Sequence, residues 1–202
     1  MQSEKDKMLS GKLYKASDAT LTAERLHAKE LVFDFNNQRP AEAAARIQII
    51  RQLFGRTGTN FLIEPPFHCD YGYNIFAGDN FYVNYNCVIL DCAKVTIGNN
   101  VFIAPNVSIF TAGHPIDAST RNAEWEYAFP VTIGNDVWIG GNTVINPGVT
   151  IGNNVVIGSG SVVTKDIPAD SVAAGNPCKV LRPINEADAL YYFKQHRIDN
   201  VD

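Results

Sequence analysis

Much of what this sequence lacks is informative. Its 202 residues contain no apolar run near the ~18–20 needed to cross a bilayer, so no membrane partner is expected. The opening residues, MQSEKDKMLSGK, carry charge where a secretory leader would carry an apolar stretch, and a cytoplasmic location is expected. No cluster of Lys or Arg is present and the net charge is −4, which argues against nucleic acid as a partner. Cysteine is scarce. Cys69, Cys87, Cys92 and Cys178 form no C-x-x-C pair and no disulfide-like spacing, so they read as small buried hydrophobes. Of four histidines only His68 and His114 lie in the central region; two ligands do not close a three-histidine zinc site, and no metal is expected. What remains, 46% hydrophobic and 19% charged, is an ordinary soluble composition with enough chain for one core.

The pattern that is present has a period of six. Ala77, Val83, Ile89, then Ile97, Ile103, Ile109, then Ile133, Ile139, Ile145, Ile151, Ile157 and Val163 are all apolar, and all but Ala77 are Ile or Val. Chance would produce twelve apolar residues in twelve at this composition roughly once in ten thousand draws. Six fits neither a helix nor a hairpin. It fits one short wall of a parallel β-helix, with three walls per turn and residue i stacked on i+18. Ile133, Ile151 and Ala169 then share a column, and twelve hexads make about four turns. Gly, Asn and Asp after each buried residue supply the corners, with Asn99, Asn100, Asn153 and Asn154 read as turn residues. A parallel sheet with crossover helices is excluded, because GNNVVIGSGS leaves no room for a crossover.

The period breaks twice. Between Ile89 and Ile97 two extra residues are expected to bulge outward near Asp91-Cys92. Between Ile109 and Ile133 the stretch GHPIDASTRNAEWEYAFP has no hexads and reads as a loop thrown out of one corner. The division is a helical region over 1–58, the repeat over 59–182 with its loop at 113–130, and a C-terminal helix over 183–202. In the first region a short helix is expected around SEKDKML. A second lies within TAERLHAKELVFDFN, with Leu26, Val32 and Phe33 on its apolar face. A third starts after Arg39-Pro40, with Ala43, Ile47, Ile50 and Phe54 on one stripe and Gly55 as its cap. The last helix is expected to start at Asn185-Glu186-Ala187-Asp188 and to dock Leu190, Tyr191 and Phe193 on the coil end or on a neighbouring subunit.

The stretches EPPFHCDYGYNI, NFYVNYN, VFIAPNVSIFTAGHP, VTIGNDVWIGGNTVINPGVTIGNNVVIGSGSVVTKDIP and AAGNPCKVLR carry a resemblance over nearly the whole chain. The sequence resembles the maltose and galactoside O-acetyltransferase group of the hexapeptide-repeat acyltransferases. The resemblance implies a mainly β fold, a left-handed parallel β-helix with an α-helical N-terminal region. It also implies a homotrimer with sites between subunits, and acetyl transfer from acetyl-CoA to a sugar hydroxyl.

That chemistry needs a base, oxyanion donors and a slot for a long coenzyme. His114 stands where repeat gives way to loop, and an imidazole is a good acceptor near neutral pH. The resemblance makes His114 the catalytic base and Asn84 an amide that orients substrate. It gives Gly141 the backbone oxyanion donor, and Asp18, Asp70, Asn84 and Asp91 the acceptor contacts. Trp138, Ser159, Thr164 and Lys165 become coenzyme contacts, and Lys179 and Arg182 face phosphates, where charge-assisted bonds are strong. Glu124, Glu126 or a backbone carbonyl is left to orient His114. Cys92 stands where galactoside-type members tend to have a second Asp, and Ala16 where some relatives carry the N-terminal acid; both lean towards glucose or maltose. No G-x-S-x-G elbow is present, so Cys92 is the one rival nucleophile. The competing readings are a serine or antibiotic acceptor and a non-catalytic β-helix scaffold.

Overall fold

In the computed structural model, which describes residues 2–194 and 196–198, three helices cap a triangular coil. The first wall of the coil holds Ile75–Ala77, Val95–Ile97, Val131–Ile133 and Thr150–Ile151. The second holds Leu62–Ile63, Tyr82–Val83, Phe102–Ile103, Val137–Ile139, Val155–Ile157 and Ser171–Ala174 in parallel, with Lys179–Pro183 turning back antiparallel. The third holds Phe67–Cys69, Cys87–Leu90, Ser108–Phe110, Val144–Ile145 and Val162–Val163. The twelve residues of the ladder are each no more than 1% exposed. They stack in register, as Ile103 on Ile139 on Ile157.

The coil is longer than the hexads alone suggest. Ile63 and Cys69 pair below Val83 and Ile89 and begin a further turn. The early turns take 20 residues rather than 18, as the pairing of Ala77 with Ile97 shows. The two extra residues do not bulge into solvent: Asp91 and Cys92 are buried. At the other end the turn tightens, and Ile167 rather than Ala169 bridges Ile151. Ala169 instead stands over Gly152.

The corners explain the Asn and Gly content. Asn80, Asn100, Asp136, Asn154 and Asp170 all have φ between 53° and 58°, a left-handed turn that Asn and Asp tolerate better than most residues. They stack along the edge joining the first wall to the second. Asn100 Nδ2 donates to Asp136 Oδ1 at 2.8 Å and Asn80 Nδ2 to Asn100 Oδ1 at 2.9 Å. Gly98 is needed because a Cβ there would lie 2.6 Å from the Gly134 carbonyl oxygen of the next turn.

Helix α1 (Glu4–Leu9) starts with a Ser3–Asp6 capping box. Helix α2 (Ala19–Asn37) buries Leu21, Ala28, Val32 and Phe35, whereas Leu26 and Phe33 of the expected face are exposed. Asn36 pins it to the coil by accepting from Phe67 N and donating to Phe67 O, both at 2.9 Å. Helix α3 (Ala43–Leu53) starts after Pro40 and ends at Phe54; Gly55 does not have a left-handed cap conformation. Gly55 is fixed by space instead, since a Cβ would meet the Tyr73 carbonyl oxygen at 2.2 Å. The buried faces of α2 and α3 close the open end of the coil with Phe54, Phe61 and Phe67. Among the described residues the C-terminal helix expected over 183–202 is not formed, and residues 195 and 199–202 lie outside them. Glu186–Ala189 is a single 3₁₀ turn, followed by a two-stranded hairpin of Tyr191–Tyr192 and His196–Arg197. Leu190, Tyr191 and Phe193 are exposed on it. The local cap is real, but a cap without an apolar face to bury does not sustain a helix.

Ile139→Ala should lower unfolding stability by about 3 kcal/mol, because the side chain is fully buried between Ile103 and Ile157 and the stacked turns cannot collapse onto the cavity. Chemical denaturation measures this, and a loss below about 1 kcal/mol would mean that the turns relax independently.

Candidate active site

The registers sort the candidate residues by edge. Asn84, Gly141 and Ser159 lie on the edge joining the second wall to the third, because Val83, Ile139 and Ile157 occupy one column of the second wall. Trp138, on the adjoining wall, pairs with Phe102 and Val156 and is 54% exposed. Lys179 and Arg182 lie on the strand that ends the same wall. Asp70, Asp91, His114, Thr164 and Lys165 belong to the edge joining the third wall to the first. One chain therefore divides the set between two edges, separated by the width of the third wall.

On the histidine edge the chain leaves the coil at the strand Ala112–Gly113. It forms a short helix, α4 (Ala118–Asn122), and returns as the strand Trp125–Ala128, antiparallel to Ala112–Gly113. A third strand, Tyr14–Lys15 from the N-terminal region, pairs with the returning one. Glu124 takes a left-handed φ of 62°, and this turn delivers the next two residues to the imidazole. His114 Nδ1 lies 3.3 Å from the Trp125 carbonyl oxygen. A carbonyl only accepts, so Nδ1 carries the proton and the lone pair of the neutral ring is on Nε2. Nε2 faces Glu126 Oε1 at 3.9 Å, too long for a hydrogen bond. Ala16, Ser17, Arg25, Arg121 and Glu124 complete a cavity of about 360 Å³ around the ring.

Beside it, a second cavity of about 570 Å³ holds Lys29, Asn36, Asn37, His68 and Asp70. Burial raises the Asp70 carboxyl, against the nearby Arg25, and the Cys92 thiol donates to Asp70 Oδ2 at 3.4 Å. Cys92 is itself buried and its thiol is pushed up by desolvation, which makes it a poor nucleophile.

Two acceptor candidates are engaged by backbone amides. Asp91 is fully buried: Oδ1 accepts from Asp70 N at 3.1 Å and Tyr71 N at 2.8 Å, and Oδ2 from Asn74 N at 3.3 Å. Its carboxyl is pushed up to about 6 by desolvation, opposed by those amides. Asp91 thus holds the widened corner together and presents nothing to a ligand. Asp18 caps α2, accepting from Thr20 N at 3.0 Å and Leu21 N at 3.2 Å. A helix cap and a sugar contact use the same residue type, so sequence cannot separate them.

Asn84 differs from the corner asparagines. Asn86, two residues on, takes the left-handed turn, while Asn84 Oδ1 accepts from Tyr85 N at 2.8 Å. It shares a groove with Tyr82, Phe102 and Trp138. The Gly141 amide sits between Gly140 and Asn142, whose amides bond to Ile157 O and Pro105 O of adjacent turns. Ser159, Thr164, Lys165 and Lys179 are exposed. Arg182, expected to face phosphate, is held by both oxygens of Asp188 at 2.6 and 2.7 Å. Arg25 and Arg121 beside the imidazole, and Tyr14 behind Glu126, were not legible in the sequence, because all three come from segments without a repeat.

A coil of stacked hexads under a helical cap defines a hexapeptide-repeat transferase. A family model described as the maltose acetyltransferase hexapeptide capping motif matches residues 7–58, and one described as bacterial transferase hexapeptide (six repeats) matches 130–165. The galactoside O-acetyltransferase of Escherichia coli is 48% identical over 96% of each chain. A crystal structure of a maltose O-acetyltransferase from Clostridium difficile is 56% identical with a TM-score of 0.90, over 91% of this chain and 98% of that one. A galactoside acetyltransferase in complex with coenzyme A is 45% identical with a TM-score of 0.95, over 99% and 100%. The chain belongs to the maltose and galactoside O-acetyltransferase family of hexapeptide-repeat enzymes, and its coil is a left-handed parallel β-helix.

Asp91→Ala should destabilise the protein by ~3 kcal/mol, since it strands backbone amides in a dry corner. Unchanged stability with a raised KM for the acceptor would return Asp91 to substrate binding.

Proposed function

We propose that the protein transfers the acetyl group of acetyl-CoA to a sugar hydroxyl, of maltose/glucose or galactoside type, with His114 as general base and with sites formed between the subunits of a homotrimer. The observation that carries this reading is the imidazole itself. Its Nδ1 is tied to the Trp125 carbonyl, its Nε2 is open, and a carboxylate stands 3.9 Å from that nitrogen.

The acceptor hydroxyl attacks the thioester carbonyl while its proton passes to Nε2. The tetrahedral oxyanion takes a hydrogen bond from the Gly141 amide, with Asn84 Nδ2 orienting the acceptor. Collapse breaks the C–S bond, and the coenzyme leaves as a thiol after recovering the proton from Nε2. No covalent acyl-enzyme is required, in keeping with the buried, weakly acidic Cys92. Asp70, with Lys29, Asn37 and His68 around it, suits a polyhydroxyl acceptor, because carboxylates and amides pair well with sugar hydroxyls. Trp138 and Phe102 give the coenzyme an apolar wall, and Ser159, Thr164, Lys165 and Lys179 its polar contacts. The complex of the related galactoside acetyltransferase with coenzyme A supports the same donor here.

The division between edges supports the trimer. His114 and Asn84 stand on different edges, about six residues of extended chain or ~20 Å apart. A histidine edge meeting the Asn84 edge of the next copy is a head-to-tail contact, which makes a ring when the rotation between copies closes. Leu26 and Phe33 on α2 and Trp138 on the second wall are exposed apolar groups suited to such contacts.

His114→Ala should reduce turnover 10²–10⁴-fold with folding intact, as expected for loss of a general base; near-normal thiol release would end the reading. Mixing subunits tests where the site is. His114→Ala and Asn84→Ala homotrimers, each nearly inactive, should regain activity when refolded together, because hybrid rings contain one edge pair with both residues intact. Hybrids as inactive as their parents would place both groups in one chain's site.

A further inference from the structure

The two oxygens of Glu126 have different partners. Oε1 faces His114 Nε2 at 3.9 Å, and Oε2 accepts from the Tyr14 hydroxyl at 2.8 Å. Tyr14 sits directly opposite Glu126 in the pairing of Tyr14–Lys15 with Trp125–Ala128. It is fully buried among Met8, Leu21, Tyr71, Cys92 and Ala128. Phenylalanine would pack in that core equally well, and a hydroxyl there is costly unless it is bonded. Its hydroxyl donates to the carboxylate beside the imidazole, and the Cys92 thiol is its other neighbour. The capping region thereby reaches across the chain, over 112 residues of sequence, to a group that acts on the base.

We infer that Tyr14 is a positioning residue for acetyl transfer: its hydroxyl tethers the Glu126 carboxylate so that Oε1 stands against His114 Nε2 and stabilises the imidazolium formed as the acceptor proton arrives. This rests on the reading of His114 as base. Other charges face the same groups. Arg25 from α2, Arg121 from α4 and Glu124 from the loop line the imidazole cavity, and Asp70 and Arg25 flank Cys92 beside Tyr14. With the tether cut, Arg25 and Arg121 compete for the carboxylate, and the imidazolium loses its partner.

The test is a cycle of Tyr14→Phe, Glu126→Gln and the double variant in the full-length protein, read by free thiol release from acetyl-CoA across pH. Tyr14→Phe should lower kcat about tenfold, with KM for acetyl-CoA within about twofold of the parent. The acidic limb of kcat/KM should move to lower pH by about half a unit, because a less stabilised imidazolium deprotonates sooner. Glu126→Gln should shift the limb in the same direction, and adding Tyr14→Phe to it should change neither kcat nor the limb further. A Tyr14→Phe protein with parental kcat and limb, whatever its melting temperature, overturns the inference, as does an effect that persists in the Glu126→Gln background. If Tyr14→Phe does not fold, Glu126→Gln alone decides, since a parental limb there leaves the tether nothing to act through. A fully active His114→Ala protein would instead remove the base reading, a result these variants do not mimic.

Discussion

The structure depends on one constraint: β-branched side chains must stack in register inside a coil whose walls are only two to four residues long. No wall is stable alone, and each buried Ile is covered by the turns above and below it. Hydrogen bonds between turns follow the same register, so losing a side chain from the stack also loosens the backbone ladder around it. Because the turns are rigid and parallel, side chains at the corners are held at fixed heights along three edges. This gives a chain of simple repeats the precision that catalysis needs.

The three edges have separate roles. On the first, Asn and Asp provide left-handed turns and Gly lets successive turns approach closely. The second carries Asn84 and Gly141, and the third carries His114 and its loop. Among the described residues the third is also the only edge where the coil widens. Asp91 is the buried carboxylate that makes the wider turn tolerable, by gathering backbone amides that would otherwise lie unsatisfied in the interior. The same widening brings Cys92 and Asp70 beside the N-terminal strand, so an adjustment in repeat length forms one side of the Asp70 cavity.

The helical cap serves two purposes. Its apolar faces seal the end of the coil through Phe35, Ile50 and Phe54, which a solenoid requires because its terminal turn would otherwise expose a core. Its first residues then run outward as Tyr14–Lys15 and become the third strand of the extruded hairpin. Loop, cap and coil thus meet at one imidazole. The ring takes its orientation from a backbone carbonyl and its charge environment from Glu126, whose own position comes from Tyr14.

Sequence alone determined the coil, because a period of six in buried β-branched residues has only one compact solution and every ladder position is interior. It also determined that the departure from that period falls at His114, and the resemblance of its motifs carried the enzyme family. Tertiary structure decided what local chemistry leaves degenerate. An Asp at the start of a helix, an Asp in a corner and an Arg near the end of the repeat look alike as letters. Asp18 accepts from the amides that start its own helix, Asp91 from amides about 20 residues back in the previous turn, and Arg182 pairs with Asp188 six residues on. The C-terminal helix failed for the same reason, since a capping signal fixes where a helix starts and only a surface to bury against keeps it. Tyr14 beside Glu126 was invisible because no periodicity links residues 112 apart; their meeting is set by a strand pairing that exists only once the loop has folded back on the cap.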